Sequence, residues 1–594
     1  MTAGPSDVSG ASRPGQVLST SAAKILCVYK PHVLTGWLII FSLNLGPQNN
    51  NSKAGFQTMS QVKGVQQFFN KARFRDVKRI YTPEDVLRHR GSLVGDTTIP
   101  LSCLTARKLF GLLEDRFQHR APLHTLGVLD PVQMSQLARC KDLKVGYVSG
   151  WACSSNASDN VSPDLGDYPY DTVPNQVGRI FNAQLLHDKK LQLSRYNNNN
   201  NDNADEVDYM KPLIADADMG HGGVGTVMKV ARLFAEKGAA AIHLEDQLVG
   251  SKKCGHLAGT VVVPVETHLT TLHATRFQWD LMNTENLIIA RTDSCNSKLI
   301  SSAVDPRDHQ FIKGIIVNDT KESKFNKPLN EMLLDLQNGD KISPNNVKSF
   351  EKEWYEANKL MTFDEMVKLV LNDMDYHQYL KEKALLKSSK NKRYLSLIEM
   401  KQILTKVNNK NTVEFNWDYP LTKEGYYMYN GCLESAIERS LIYAPYSDMI
   451  WLETKTPDLA QAKMFAKKIH EIHPHVKLVY NLSPSFNWQK YNIDIKNFIW
   501  NLAKEGFILQ LVSLAGLHIS GLAYWSIAKE FQYEGMKTYV EKVQKMEKQE
   551  GSDMLLHQKW SGIEYVESIT NTIQNGTNSI SSSVSSDSFT ESQF

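Results

Sequence analysis

No run in this chain is apolar for long enough to cross a bilayer: the best, VLTGWLIIFSLNL at 33–45, has about 13 residues where a spanning helix needs ~20. It also lies too late for a secretory signal, and no clear small-x-small cleavage site follows. Cysteines are few and scattered: seven, at positions 27, 103, 140, 153, 254, 295 and 432, with no CxxC pair. That excludes a disulfide-stapled secreted module and points to free thiols in a reducing compartment. An excess of charge of one sign is missing too. The 67 basic and 64 acidic residues leave a net +3, so neither nucleic acid nor a charged membrane surface is implied as a partner.

Acidic side chains are absent from most of the N-terminal region. After Asp7 none occurs until Asp76, while Arg13, Lys24, Lys30, Lys53, Lys63, Lys71, Arg73 and Arg75 are all present. A basic, acid-free, hydroxyl-rich stretch is the composition of a mitochondrial presequence, so residues 1–75 are expected to be a leader plus a flexible segment, and the chain to reside in the matrix. A disordered tail is the competing reading. At the other end, residues 575–594 are a Ser-rich polar tail without the composition to build a core, and they do not end in a peroxisomal address.

Between these ends, apolar runs alternate with amphipathic stretches. Eight runs read as strands: TLGVLD (125–130), VGYVSGW (145–151), LIADAD (213–218), AIHLED (241–246), LIIARTD (287–293), MIWLET (449–454), LVYNLS (478–483) and LQLVSL (509–514). Helical patterns fall between several of them, the signature of a parallel α/β fold, and eight such units predict a (β/α)8 barrel of the TIM type. The barrel is expected over 76–311 and 421–574. A charged stretch at 312–420 has too few strand-like runs to join it and is expected to be a helical insertion. The asparagine-rich loop at 196–208 reads as a solvated insertion.

Nearly every strand run ends in a polar residue, and a barrel gathers such ends on one rim, where its sites are built. Helix caps and turn formers explain any one of these residues equally well. Asp216 and Asp218 lie two apart on one strand and share a face, and Glu245 closes the next strand. Carboxylates converging without an obvious cationic partner would repel one another, so a hard divalent cation is expected, Mg2+ rather than zinc. Cys254 and His256 form a lone CxH, too little for a closed zinc site. In SKKCGHLAG (251–259), Lys252 and Lys253 precede Cys254, and their charge is expected to favour the thiolate. Such a thiol suits proton exchange with carbon or nucleophilic attack.

With these motifs set side by side, the chain resembles the isocitrate lyase family over about 75–575, through SGW, IADAD, HLEDQ, KKCGH, ARTD, WLET and NLSPSFNW. SGWACSS, DYPYDTVPNQV, GYYMYNGC, GMKTYVEKVQK and the ending SFTESQF resemble its fungal mitochondrial branch that cleaves 2-methylisocitrate. The resemblance implies a barrel of the isocitrate lyase/PEP mutase kind and a Mg2+-dependent homotetramer acting on a tricarboxylate. It implies that Asp164, Asp216, Asp218 and Glu245 hold Mg2+, and that Ser149, Gly150 and Trp151 line the keto-acid part of the substrate. Arg291 would pair with a carboxylate, and Gly255, His256, Asn481, Ser483, Ser485, Ser513 and Leu514 would receive the succinate end. Cys254 would protonate a succinate enolate, with Glu453 in the proton network.

Substrate choice within the family rests on smaller signs. Isocitrate-cleaving members commonly carry a Phe and a Thr where this chain has Leu511 and Ser513, and a Met where it has Leu257. Both strand changes remove bulk and would make room for an added methyl group. The expected reaction is cleavage of 2-methylisocitrate to succinate and pyruvate in propionate catabolism. Cleavage of isocitrate to succinate and glyoxylate is the alternative, and an inactive structural paralogue a third.

Overall fold

The computed structural model describes residues 50–90, 99–197, 207–255, 257–317, 325, 327–339, 344–408 and 413–574. Most of the leader, the centre of the asparagine-rich loop, His256 and the Ser-rich tail lie outside them. Met59–Phe594 form one compact unit.

Eight parallel strands carry the unit: β1 (Leu123–Leu126), β2 (Gly146–Val148), β3 (Leu213–Asp216), β4 (Ala239–Glu245), β5 (Leu287–Thr292), β6 (Met449–Leu452), β7 (Lys477–Asn481) and β8 (Phe507–Val512). Each falls within or beside one of the eight predicted runs. Neighbours in space are neighbours in sequence, and β8 returns to pair with β1. A parallel bridge between Gly127 and Tyr147, with Val128 N–H donating to Tyr147 O at 2.9 Å, joins β1 to β2 and closes the barrel.

Local sequence explains the alternation. Helix α1 (Ser102–His119) precedes β1 and buries Ala106, Leu109 and Leu113 against the residues of the barrel interior. Helix α2 (Pro131–Arg139) starts at Asp130, whose carboxylate accepts from Gln133 N–H, with proline at the first position, where no N–H is needed. Helix α3 (Thr172–Asn197) follows β2. Helix α4 (Val224–Lys237) buries Val227, Val230, Ala231, Phe234 and Ala235, one helical stripe, and stops at Gly238, where φ is +110°. Helices α5 (Val265–Leu281), α6 (Leu433–Tyr443), α7 (Leu459–His470) and α8 (Phe498–Lys504) follow β4 to β7. Helix α9 (Ala515–Glu534) follows β8, and past Gly516 its residues are largely exposed.

Two findings depart from the expectations. Val65, Phe68, Arg73 and Phe74 are buried, so residues 65–75 pack into the fold where a flexible segment was expected. Arg73 and Arg276 share Asp448, with guanidinium nitrogens 2.6 Å from its two oxygens, and Arg79 pairs with the buried Asp280 at 2.7 Å. Residues 71–81 are thereby fastened to the barrel. The insertion between β5 and α6 is not purely helical either. Besides five helices from Leu329 to Val407, it carries an antiparallel sheet of Lys313–Val317, Met361–Thr362 and Glu414–Asn416. The sheet gives the helices a floor on which Phe363, Met366, Met400 and Phe415 form a core of their own. Among the described residues, no helix is long and apolar enough to cross a membrane.

Candidate active site

The strand ends meet around a partly open cavity lined by Ser149, Trp151, Asp164, Asp216, Cys254, Gly255, Arg291, Glu453, Asn481, Ser483, Ser485, Ser513 and Leu514, all of them expected site residues. Gly150 contributes its N–H, 2.9 Å from Asp216 Oδ2. Asp218 and Glu245 lie behind Lys252, which itself lines the cavity beside Tyr147 and Trp451. His256 lies outside the described residues.

The period of a strand organises the floor. Two positions before each rim residue, the side chain faces the same way but one layer lower. Tyr147 stands below Ser149, Ile214 below Asp216, Ile289 below Arg291, Trp451 below Glu453, Val479 below Asn481 and Leu511 below Ser513, all in one buried cluster. His243, below Glu245, completes the layer: its Nε2 is 2.9 Å from Tyr147 Oη and 3.3 Å from Asp216 Oδ1, and burial keeps the ring neutral. The alternation was legible in the sequence, yet Tyr147, His243 and Trp451 were not predicted as part of the site. Leu511 is thus in the supporting layer, and Leu257, 54% exposed, faces solvent.

The carboxylates do have cationic partners, contrary to expectation. Lys252 Nζ bonds Asp164, stands 2.6 Å from Asp218 Oδ1 and lies 3.9 Å from Glu245 Oε1, all of them buried. Its charge therefore serves the acidic cluster, and it lines the cavity together with Cys254. Lys253 turns instead toward Gly259. Asp218 also accepts from Tyr168 Oη and lies 3.4 Å from His221, and its backbone is left-handed at φ +47°. A non-glycine residue held in that region stores strain that its neighbours must offset.

Electrostatics divide the acids. Burial pushes Asp164 and Asp216 up, each to about 6, against the pull of Lys252. Burial also raises Glu245 well above the usual range, more than Arg291 and Lys252 lower it. Asp218 is buried too, but Lys252 and His221 outweigh that and hold it well below the usual carboxylate range. Asp164 Oδ1 and Glu245 Oε1 are buried without a hydrogen-bond partner. An oxygen-only donor set with unsatisfied buried oxygens fits a hard divalent cation in its chemistry. The carboxylates surround Lys252 rather than forming a ready coordination shell, and among the described residues no three His, Cys, Asp or Glu do so.

On the next strand, beside Glu245, Arg291 lies 3.3 Å from that carboxylate and 3.0 Å from Asp293, 5.1 Å from the centre of the Trp451 ring, while its Nε has no partner. Glu453 accepts from Trp451 Nε1 at 2.8 Å and Asn481 Nδ2 at 3.2 Å. A Cβ on Gly255 would lie 2.7 Å from Asp293 Oδ1 and 2.9 Å from Arg291 Nη2, so only glycine lets the cysteine loop descend this far. The cavity thus brings together a thiol, a guanidinium with a bonding position to spare and buried carboxylates, an arrangement able to bind a polyanion and protonate carbon.

Comparison with known proteins agrees. The mitochondrial 2-methylisocitrate lyase of Saccharomyces cerevisiae is 56% identical over 543 residues, covering 90% of this chain and 92% of that one. The mitochondrial 2-methylisocitrate lyase of Hypocrea atroviridis is 44% identical, covering 88% and 91%. The isocitrate lyase of Saccharomyces cerevisiae is 38% identical, covering 89% and 95%. A family model described as isocitrate lyase family matches residues 61–594. Spanning nearly all of the described barrel and its insertion, that match makes the chain a member of the isocitrate lyase family.

Proposed function

We propose that this carbon-carbon lyase cleaves 2-methylisocitrate to succinate and pyruvate in the mitochondrial matrix. The observation that carries the reading is the cavity itself, whose lining brings Cys254 and Arg291 together with Asp164 and Asp216. The domain limits that go with it are a leader ahead of residue 65, the barrel on either side of the insertion, and the Ser-rich tail.

Asp164, Asp216, Asp218 and Glu245 are the residues that would hold Mg2+, directly or through water, where the ion supplies Lewis-acid charge to oxygens of the keto-acid half. Ser149, Gly150 and Trp151 shape the wall around that half. Arg291 offers its unpartnered Nε to a substrate carboxylate, and its fork stays aligned because Glu245 and Asp293 hold the other nitrogens. Asn481, Ser483, Ser485 and Ser513 present an amide and hydroxyls to the succinate end, with Gly255, His256 and Leu514 completing that subsite. A general base takes the hydroxyl proton, the freed oxygen electron pair forms the keto group of pyruvate, and the pair of the breaking carbon-carbon bond passes to the succinate part as an enolate. Cys254 then gives its proton to the enolate carbon, and Glu453, fixed by Trp451 and Asn481, supports the proton network.

The higher identity to relatives named for 2-methylisocitrate than to one named for isocitrate supports the substrate, as do the small Ser513 at the rim and Leu511 beneath it. One methyl group is worth ~1–3 kcal/mol, roughly 10- to 200-fold in kcat/KM. Measuring kcat/KM for both acids on purified protein decides it: a preference for isocitrate above about tenfold overturns the reading. The basic N-terminal region, without acidic residues between Asp7 and Asp76, supports import. A fusion lacking residues 1–57 should stay out of mitochondria. A homotetramer is supported by the exposed apolar residues of α9, among them Leu522, Tyr524 and Trp525, which a second copy would bury.

A further inference from the structure

We propose that Gln247 is a positioning residue that holds the Cys254 loop onto the site, and this rests on the reading of Cys254 as the proton donor. Gln247 sits just past β4, two residues after Glu245, with its backbone bridged to Val262 and its side chain buried. Its amide oxygen accepts from Lys253 N–H at 3.0 Å, and its amide nitrogen donates to Lys253 O at 2.9 Å. One side chain thus grips both backbone groups of the residue next to Cys254, as a neighbouring strand would. The same nitrogen donates to Asp293 Oδ2 at 3.2 Å, and Asp293 Oδ1 accepts from Arg291 Nη2 at 3.0 Å. Gly255, on the other side of Cys254, lies against the same Asp293 and Arg291. The thiol is therefore suspended between two points that refer to one carboxylate, and that carboxylate also orients the substrate-binding arginine.

The chemistry requires glutamine here. The acceptor and both N–H donors of the amide are used. Glutamate keeps the acceptor but turns a bare oxygen toward Lys253 O and puts a second buried negative charge beside Asp293. Methionine has similar length and makes none of the bonds. A merely structural glutamine would alter stability; a positioning one alters where Cys254 stands at turnover.

The test uses the full chain, Gln247→Met and Gln247→Glu, assayed with Mg2+ and 2-methylisocitrate. Displacing a reacting group by about 1 Å costs on the order of 100-fold, so kcat should fall about 10- to 100-fold while KM moves less than about threefold. In substrate-free protein, alkylation of Cys254 by iodoacetamide, followed by mass spectrometry of its peptide, should quicken at least about fivefold. Alkylation of the half-buried Cys432 should not change. A kcat within about twofold of the wild type overturns the proposal, as does unchanged Cys254 alkylation beside a lost kcat. If the wild type cleaves neither acid, the lyase reading fails and the alkylation result alone decides the role of Gln247. If circular dichroism shows both variants unfolded, hydrogen exchange on the wild type decides: slow exchange of the Lys253 amide supports the latch, and exchange at the rate of a free loop amide overturns it.

Discussion

Lys252 shows how a single side chain changes the reading of a site. It stands two residues before a reactive-looking cysteine in sequence, and its partner Asp164 is 88 positions away. Removing the ammonium leaves buried carboxylates without their counter-charge, a loss of about 3–5 kcal/mol. Lys252→Met should therefore unfold at lower urea than the wild type in chelator, and added Mg2+ should restore part of the difference. Cys254→Ser tests the proton donor: kcat should fall about 10²- to 10⁴-fold with KM little changed, since the hydroxyl is a far weaker acid. The raised acids also set a pH dependence. With Asp164 and Asp216 moved from 3.8 to about 6, the folded state binds more protons than the unfolded one between those values, so these two groups lower stability as pH climbs from about 4 to about 6 and the loss persists above. A divalent cation needs them ionised, so its affinity, measured by calorimetry, should rise by about tenfold or more between pH 5 and pH 7 and then level off.

Elements place these residues, and two of them carry consequences of their own. The segment 71–81 acts as a fastening, and Asp448 is its anchor. Burial would raise that carboxyl, but Arg73 and Arg276 outweigh it and hold it at about 2. Its contribution is fully present above the unfolded value of 3.8 and is lost as pH falls through about 2. Asp448→Ala leaves two buried guanidinium groups without their carboxylate and should cost about 3–5 kcal/mol in urea unfolding. At the end of β8, Ser513 borders the cavity, while Leu511 supports it from below. The chain leaves β1 at Gly127, where a Cβ would come within 2.0 Å of Ser513 O, so Ser513 cannot retreat from added bulk. Leu511→Phe with Ser513→Thr should shift the kcat/KM ratio toward isocitrate by about tenfold or more, most of it from Ser513→Thr.

At the scale of the whole molecule, α9 departs from the barrel with Ile519, Leu522, Tyr524, Trp525, Phe531 and Tyr533 exposed. Tyr524→Glu with Trp525→Glu should reduce the mass measured by light scattering to that of a smaller species while the barrel stays folded. The eight strands were legible because each buries an apolar run of the right length between helical stripes, and the polar rim because nearly every run ends in a group that can hydrogen-bond. The sheet of the insertion was not legible, since strands of two to five residues carry no periodic signal of their own. The layer of Tyr147, His243 and Trp451 was legible in principle, through the two-residue period, once the rim residues were placed.

The sequence by itself determined the alternation of strands and helices, the family motifs, and therefore the barrel, the reaction class and the set of rim residues. These depend on local periodicity and on short patterns that no partner segment can alter. Only the tertiary structure decided which charge meets which: that Lys252 pairs with Asp164 and Asp218, that Gln247 grips Lys253 beside Asp293, and that Leu511 supports the cavity without lining it. Such pairings join residues far apart along the chain, and a side chain's charge acts on whatever the closed barrel brings within a few ångströms of it.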